Sequence, residues 1–191
     1  MTEVYLRVLT HGSTTVAPHE ERYRGDATSA EAVRMKEYKI FEMGMPRADA
    51  CREVLRALPE WFALESYIES YVVDTERYET FGAYDAHHTL VGFVTLKSHN
   101  QFTNEIHVMA VIPEHHGRGV GSMLVSCAEQ RSREQGFELL EVKTLGPSRP
   151  NPFFDKTRTF YLKAGFLPVE ELVGVWPDNP CLVMVMPLVM R

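Results

Sequence analysis

The stretch Val108-Met109-Ala110-Val111-Ile112-Pro113-Glu114-His115-His116-Gly117-Arg118-Gly119-Val120-Gly121-Ser122 decides how this chain folds. An apolar strand stops at a proline, a glycine-rich turn follows, and a helix begins at once. Glycines on alternate positions let the backbone approach a ligand without Cβ obstruction. A helix start leaves several N–H groups unpaired, and the aligned peptide dipoles add partial positive charge there. Together these features make an anion site suited to a diphosphate, to which Arg118 adds a mobile cation. Two other glycine motifs are excluded. A phosphate-binding Walker loop needs Lys and then Ser or Thr after its last glycine, whereas Gly121 precedes Ser122 and Met123. A dinucleotide fingerprint reads G-x-G-x-x-G, whereas Gly117, Gly119 and Gly121 read G-x-G-x-G. A turn without a ligand would give up the conformational entropy of its glycines for no return.

Outward from this turn, Glu105 to Ile112 reads as a strand. Gly119 to Gln135 reads as a helix with Val120, Leu124, Cys127 and Ala128 as its apolar stripe, ended by Gly136. Upstream, Tyr38 to Met43 is expected as a strand, and Asp49 to Ala57 and Glu65 to Val73 as helices. Phe81 to Tyr84 and Leu90 to Lys97 then form a hairpin across Asp85-Ala86-His87-His88. Downstream come a strand from Glu138 to Thr144 and a short helix from Asp155 to Ala164, closed by Gly165. Strands over Leu167 to Val175 and Leu182 to Leu188 finish the order βααβββαβαββ, a mixed α/β domain. Residues 1–35, rich in Thr, Ser, His and charge, read as an N-terminal extension; within them Val4 to Leu9 has a strand-like pattern.

Composition narrows the function classes. The 191 residues are 45% apolar and 24% charged, as in a globular domain with a sizeable core. A net charge of −6 argues against a broad nucleic-acid surface. Cys51, Cys127 and Cys181 are widely spaced and form no CxxC pair, so free thiols in a reducing compartment are expected. No metal-ligand spacing stands out, because His115 and His116 are adjacent. No basic-then-apolar leader opens the chain and no run reaches the roughly 20 apolar residues of a membrane span, so a cytoplasmic protein is expected.

At Glu105-Ile106-His107-Val108-Met109-Ala110-Val111-Ile112-Pro113-Glu114-His115-His116-Gly117-Arg118-Gly119-Val120-Gly121 the chain resembles the acetyl-CoA-binding motif of the GNAT superfamily of N-acetyltransferases, Q/R-x-x-G-x-G/A. His116 stands in the Gln/Arg place. A second block, Thr157 to Phe166, is similar to the A-x-x-x-Y-x-x-x-G-F ending of these enzymes, with Thr157 in the alanine place. Phe154 stands where many members carry Asn. Val142 to Ser148 and Asp178 to Leu182 are similar to a bacterial subgroup of largely unassigned substrate.

The resemblance covers residues 36–191 and implies a mostly antiparallel sheet of six or seven strands, with a splayed central strand pair and flanking helices. It implies acetyl-CoA as co-substrate, bound by Met109, Ala110, Val111, His116, Gly117, Arg118, Gly119, Val120, Gly121 and Ser122. The backbone of Met109 and Val111 would align the acyl arm, with the Met109 amide as oxyanion donor.

Acetyl transfer to an amine needs a proton acceptor, a held oxyanion and a proton for the leaving thiolate. Glu105 aligns with the general base of histone-type members and otherwise reads as a strand-end charge. His107 faces the same side and has a suitable unperturbed pKa, but reads equally as a core histidine. Tyr161 is the candidate acid. Trp61 and Phe62, between the first two helices, are candidates to wall the acceptor, a primary amine of a small molecule or peptide. The competing class is a non-catalytic acyl-CoA-binding module. Dimers are frequent in such families, which leaves a homodimer open; no metal, membrane or nucleic-acid partner is expected.

Overall fold

Alternating apolar runs separated by turn residues form one seven-stranded sheet in the order β1-β2-β3-β4-β5-β7-β6. The structure is a computed structural model that describes residues 37–188; the extension over 1–35, with its strand-like Val4 to Leu9, lies outside them. The strands are β1 (Lys39–Glu42), β2 (Glu79–Tyr84), β3 (Leu90–Ser98), β4 (Thr103–Val111), β5 (Leu139–Leu145), β6 (Leu167–Trp176) and β7 (Asn179–Pro187). The helices are α1 (Ala48–Arg56), α2 (Glu65–Arg77), α3 (Val120–Glu134) and α4 (Pro152–Lys163). The element order is the one the sequence predicts. All strand pairings are antiparallel except β4 with β5.

Two apolar layers cover the sheet. On one face, α1 and α2 bury Cys51, Val54, Leu55, Ile68 and Val72 against Phe93, Val108 and Ala110. On the other, Leu124 and Ala128 of α3 and Tyr161 of α4 pack with Val94, Ile106, Leu140 and Phe166. Each fully buried Leu or Phe contributes roughly 1.5–3 kcal/mol, so the sheet is fixed from both sides.

Two irregularities in the central strands shape the site. First, the β3–β4 register shifts between Thr95 and Leu96: Thr95 pairs with Val108 but Leu96 with Ile106, leaving His107 as an extra residue. Such a bulge breaks strict alternation. Ile106 therefore faces α3, whereas Val108 and Ala110 face α1 and α2. Second, the parallel β4–β5 ladder ends at Ile106↔Val142, although β4 runs on to Val111 and β5 to Leu145. Beyond that rung the strands part, and the sheet opens as a wedge.

Several boundaries differ from the sequence-based expectation. Helix α4 begins three residues earlier than Asp155, because Asn151 caps it: its side chain accepts from Phe153 N at 3.0 Å and Phe154 N at 3.3 Å, with Pro152 in the first turn. Helix α2 continues to Arg77, beyond the Val73 expected, because Thr75 is buried and its hydroxyl donates back to the Val72 carbonyl.

Candidate active site

The turn after β4 carries the anion-binding geometry. Gly117 (φ 70°) and Gly119 (φ 86°) both adopt left-handed backbone, and a Cβ at either would meet nothing within 4 Å. The space in front of them is therefore open. Gly119 is the N-cap of α3, with no side-chain cap and no acidic residue in the first turn. The first α3 amides thus keep their hydrogen-bonding capacity for an external acceptor, in contrast to α4, whose first amides Asn151 occupies. Gly121 serves differently: a Cβ there would sit 3.3 Å from the Phe160 ring, so it allows α3 and α4 to approach.

This helix start opens into a cleft of about 1660 Å³ bounded by the end of β4, the glycine turn, the α1–α2 connection and α4. Met109, Ala110 and Val111 line it from the strand. His116, Gly117, Arg118, Gly119, Gly121 and Ser122 line it from the turn. Val120 does not: its side chain is buried in the core, and only its backbone belongs to the helix start. His116 Nε2 lies 2.6 Å from the Val111 carbonyl and donates to it, which ties the turn back to the strand. Among the described residues Arg118 has no ion pair, so its charge is available at the cleft mouth.

Tyr161, Trp61 and Phe62 also line the cleft. The Tyr161 ring packs edge-on against Phe160 and Phe166, and burial pushes its phenol well above the ordinary range. It therefore stays protonated, and among the described residues its hydroxyl has no hydrogen-bond partner. Cys127, on the cleft wall, is pushed up to about 11 by burial, which keeps it a thiol and a poor nucleophile. Cys51, Cys127 and Cys181 are all free.

Glu105 and His107 do not line the cleft; they lie on the α2 face of the same strand, in a buried polar cluster. Lys143 Nζ is 2.8 Å and His99 Nε2 3.0 Å from the Glu105 carboxylate, and His107 Nδ1 is 3.5 Å away. Burial opposes ionisation of Glu105, but His107 and Lys143 outweigh it and hold the carboxyl down to about 2. A carboxylate so stabilised is a weak proton acceptor at neutral pH. His107 Nε2 is 2.8 Å from Asp74 of α2, and its ring meets Tyr71 at 5.6 Å. Tyr71 in turn meets Phe62 at 5.8 Å, so an aromatic series connects the cleft wall to the histidine.

Sequence spacing hides several of these features. His99, Glu105 and Glu141 offer ligand atoms within 4.8 Å of one another, a metal-ligand arrangement assembled from β4, β5 and the residue after β3, although the Lys143 ammonium also contacts both carboxylates. Arg158 reads in the sequence as a phosphate contact or a surface charge; its guanidinium instead donates to the Leu145 carbonyl at 2.6 Å and pairs with Asp155, tying α4 to β5. Thr144, two residues beyond the last β4–β5 rung, is buried with its hydroxyl unpartnered among the described residues. No periodicity marks a lone threonine of that kind.

Residues 47–166 match the family described as "Acetyltransferase (GNAT) family". The chain belongs to this family. Acyl transfer from acetyl-CoA is the chemistry of GNAT proteins. Comparison with curated proteins gives no match. Among solved structures, an acetyltransferase assigned to the GNAT family from Desulfovibrio desulfuricans is 18% identical with a TM-score of 0.68, covering 80% of this chain and 99% of that one. The ribosomal-protein-S18-alanine N-acetyltransferase from Escherichia coli is 14% identical with a TM-score of 0.65, covering 81% and 96%. An aminoglycoside 6′-N-acetyltransferase complexed with coenzyme A is 20% identical with a TM-score of 0.63, covering 80% and 98%. At these identities the structures share the fold with this GNAT chain. Among its described residues no helix is long and apolar enough to cross a membrane.

Proposed function

We propose that this GNAT chain is an N-acetyltransferase that moves the acetyl group of acetyl-CoA directly onto a primary amine of a small molecule or peptide in a ternary complex. The observation that carries this reading is the uncapped start of α3 opening into the same cleft as a buried, protonated tyrosine. In this reading the amides of Val120, Gly121 and Ser122 hold the diphosphate, and Arg118 adds charge at the mouth. The arm then runs along Met109 and Val111 into the wedge, where the Met109 amide receives the developing oxyanion. Tyr161 donates a proton to the departing thiolate; its raised pKa keeps that proton available across the physiological range.

On the acceptor side, the ammonium proton leaves through water toward the buried Glu105–His107–Asp74 cluster, which the Tyr71–Phe62 aromatic series joins to the cleft wall. Trp61 and Phe62 wall the amine end.

The test is calorimetry with coenzyme A and acetyl-CoA, followed by thiol release with polyamines, amino acids, aminoglycosides and peptide N-termini. Saturable binding together with amine-dependent thiol release supports the enzyme. Tight binding with no release from any amine would make the chain an acyl-CoA-binding module instead, and no binding at all would remove the reading.

A further inference from the structure

Two positions at which the chain departs from the family pattern touch the same side chain. Thr157 stands in the alanine place of the second block, and Trp61 Nε1 donates to its Oγ1 at 3.0 Å, across 96 residues of sequence. The direction is fixed, because the Thr157 hydroxyl itself donates to the Phe153 carbonyl at 3.2 Å, leaving its lone pairs to the indole. An alanine there would offer no acceptor. His116 stands in the Gln/Arg place of the first block, and its ring meets the Trp61 indole edge-on at 5.9 Å, while its Nε2 is anchored on Val111. Phe153 also meets the indole edge-on, at 5.2 Å.

The indole thus spans the glycine turn and the face of α4, and Trp61 and all three partners line the cleft. A ligand with its diphosphate on the α3 amides and its thioester beside Tyr161 has to pass between those two walls. We propose that Trp61, held by Thr157 and His116, is a cofactor-retaining residue whose indole lies across the pantetheine arm. This inference rests on the acyl-CoA reading and deepens it: a side chain from the α1–α2 connection, expected on the amine side, also grips the cofactor. His116 and Thr157 together hold the indole in place.

The test separates the arm from the nucleotide. Coenzyme A and 3′-phosphoadenosine 5′-diphosphate share the diphosphate, but only the former carries the arm. In the full chain, Trp61→Leu is expected to weaken coenzyme A binding roughly tenfold, the loss of edge-on aromatic and arm contacts, and to leave the nucleotide affinity unchanged. Thr157→Val keeps the shape of the side chain and removes the acceptor; it is expected to speed coenzyme A dissociation several-fold, again without effect on the nucleotide. Trp176, the second tryptophan, lies at the end of β6 and outside the cleft. In a Trp176→Phe background, coenzyme A should therefore change the Trp61 emission and the nucleotide should not. Equal coenzyme A affinity in wild type and both variants, or parallel weakening of both probes, overturns the retaining role of Trp61 while leaving the acyl-CoA site standing. Absence of coenzyme A binding in the wild type overturns the underlying reading as well.

Discussion

At the scale of single residues, the glycine turn and the buried polar groups make separable demands. Gly119→Val forces a β-branched side chain into left-handed backbone, at a cost of about 1–2 kcal/mol, and projects it into the open space before the α3 amides. Coenzyme A affinity measured by calorimetry should fall more than tenfold; unchanged affinity in a folded variant would remove the diphosphate from this turn. Tyr161→Phe should lower turnover tenfold or more with little change in cofactor affinity, since the hydroxyl has no structural partner to lose. Thr144→Val deletes an orphaned buried hydroxyl and keeps the shape of the side chain, so urea unfolding should find the variant more stable by about 1 kcal/mol.

Glu105 carries the acid sensitivity. Its carboxyl is held down to about 2 in the fold, against about 4.3 in an unfolded chain. The stabilisation is therefore complete above the unfolded value and is lost as pH falls through the window from about 4.5 to 2. Glu105→Gln should flatten that part of the stability–pH curve. An unchanged slope would mean that His107 and Lys143 do not hold the carboxylate.

At the scale of elements, helix α4 depends on a cap and α3 deliberately lacks one. Asn151→Ala should cost about 1 kcal/mol in denaturant unfolding, because two α4 amides lose their acceptor. The order of elements was legible because each is announced by local chemistry: proline at Pro113, glycine at Gly136 and Gly165, and helical spacing from Val120 to Ala128. The early start of α4 was also written in the sequence, as Asn151-Pro152, but the apolar spacing after Asp155 is the stronger pattern and draws the eye past it. The glycines of the turn were legible as a group and not as individuals. That Gly121 faces Phe160 rather than a ligand depends on α3–α4 packing, which no local signal encodes. For the same reason the His99–Glu105–Lys143 cluster could not be read: its members come from β4, β5 and the turn after β3, and the ionisation of Glu105 depends in part on Lys143, distant in the chain.

At the scale of the whole molecule, the α3 and α4 layer and the α1 and α2 layer are held to one sheet, and β4 is exposed to both. The extra residue at His107 is what lets it serve both. A regularly alternating strand would send residues two apart to one side along its entire length. Here the reading frame of the strand slips by one, so Glu105 and His107 look toward one chamber while Met109 and Val111 look toward the other. Removing a single amino acid at this point would restore the regular frame and exchange inside for outside over the last third of the strand. The division of β4 between the two faces therefore depends on one unpaired position, and a chain one residue shorter at His107 would lose the junction between its two halves.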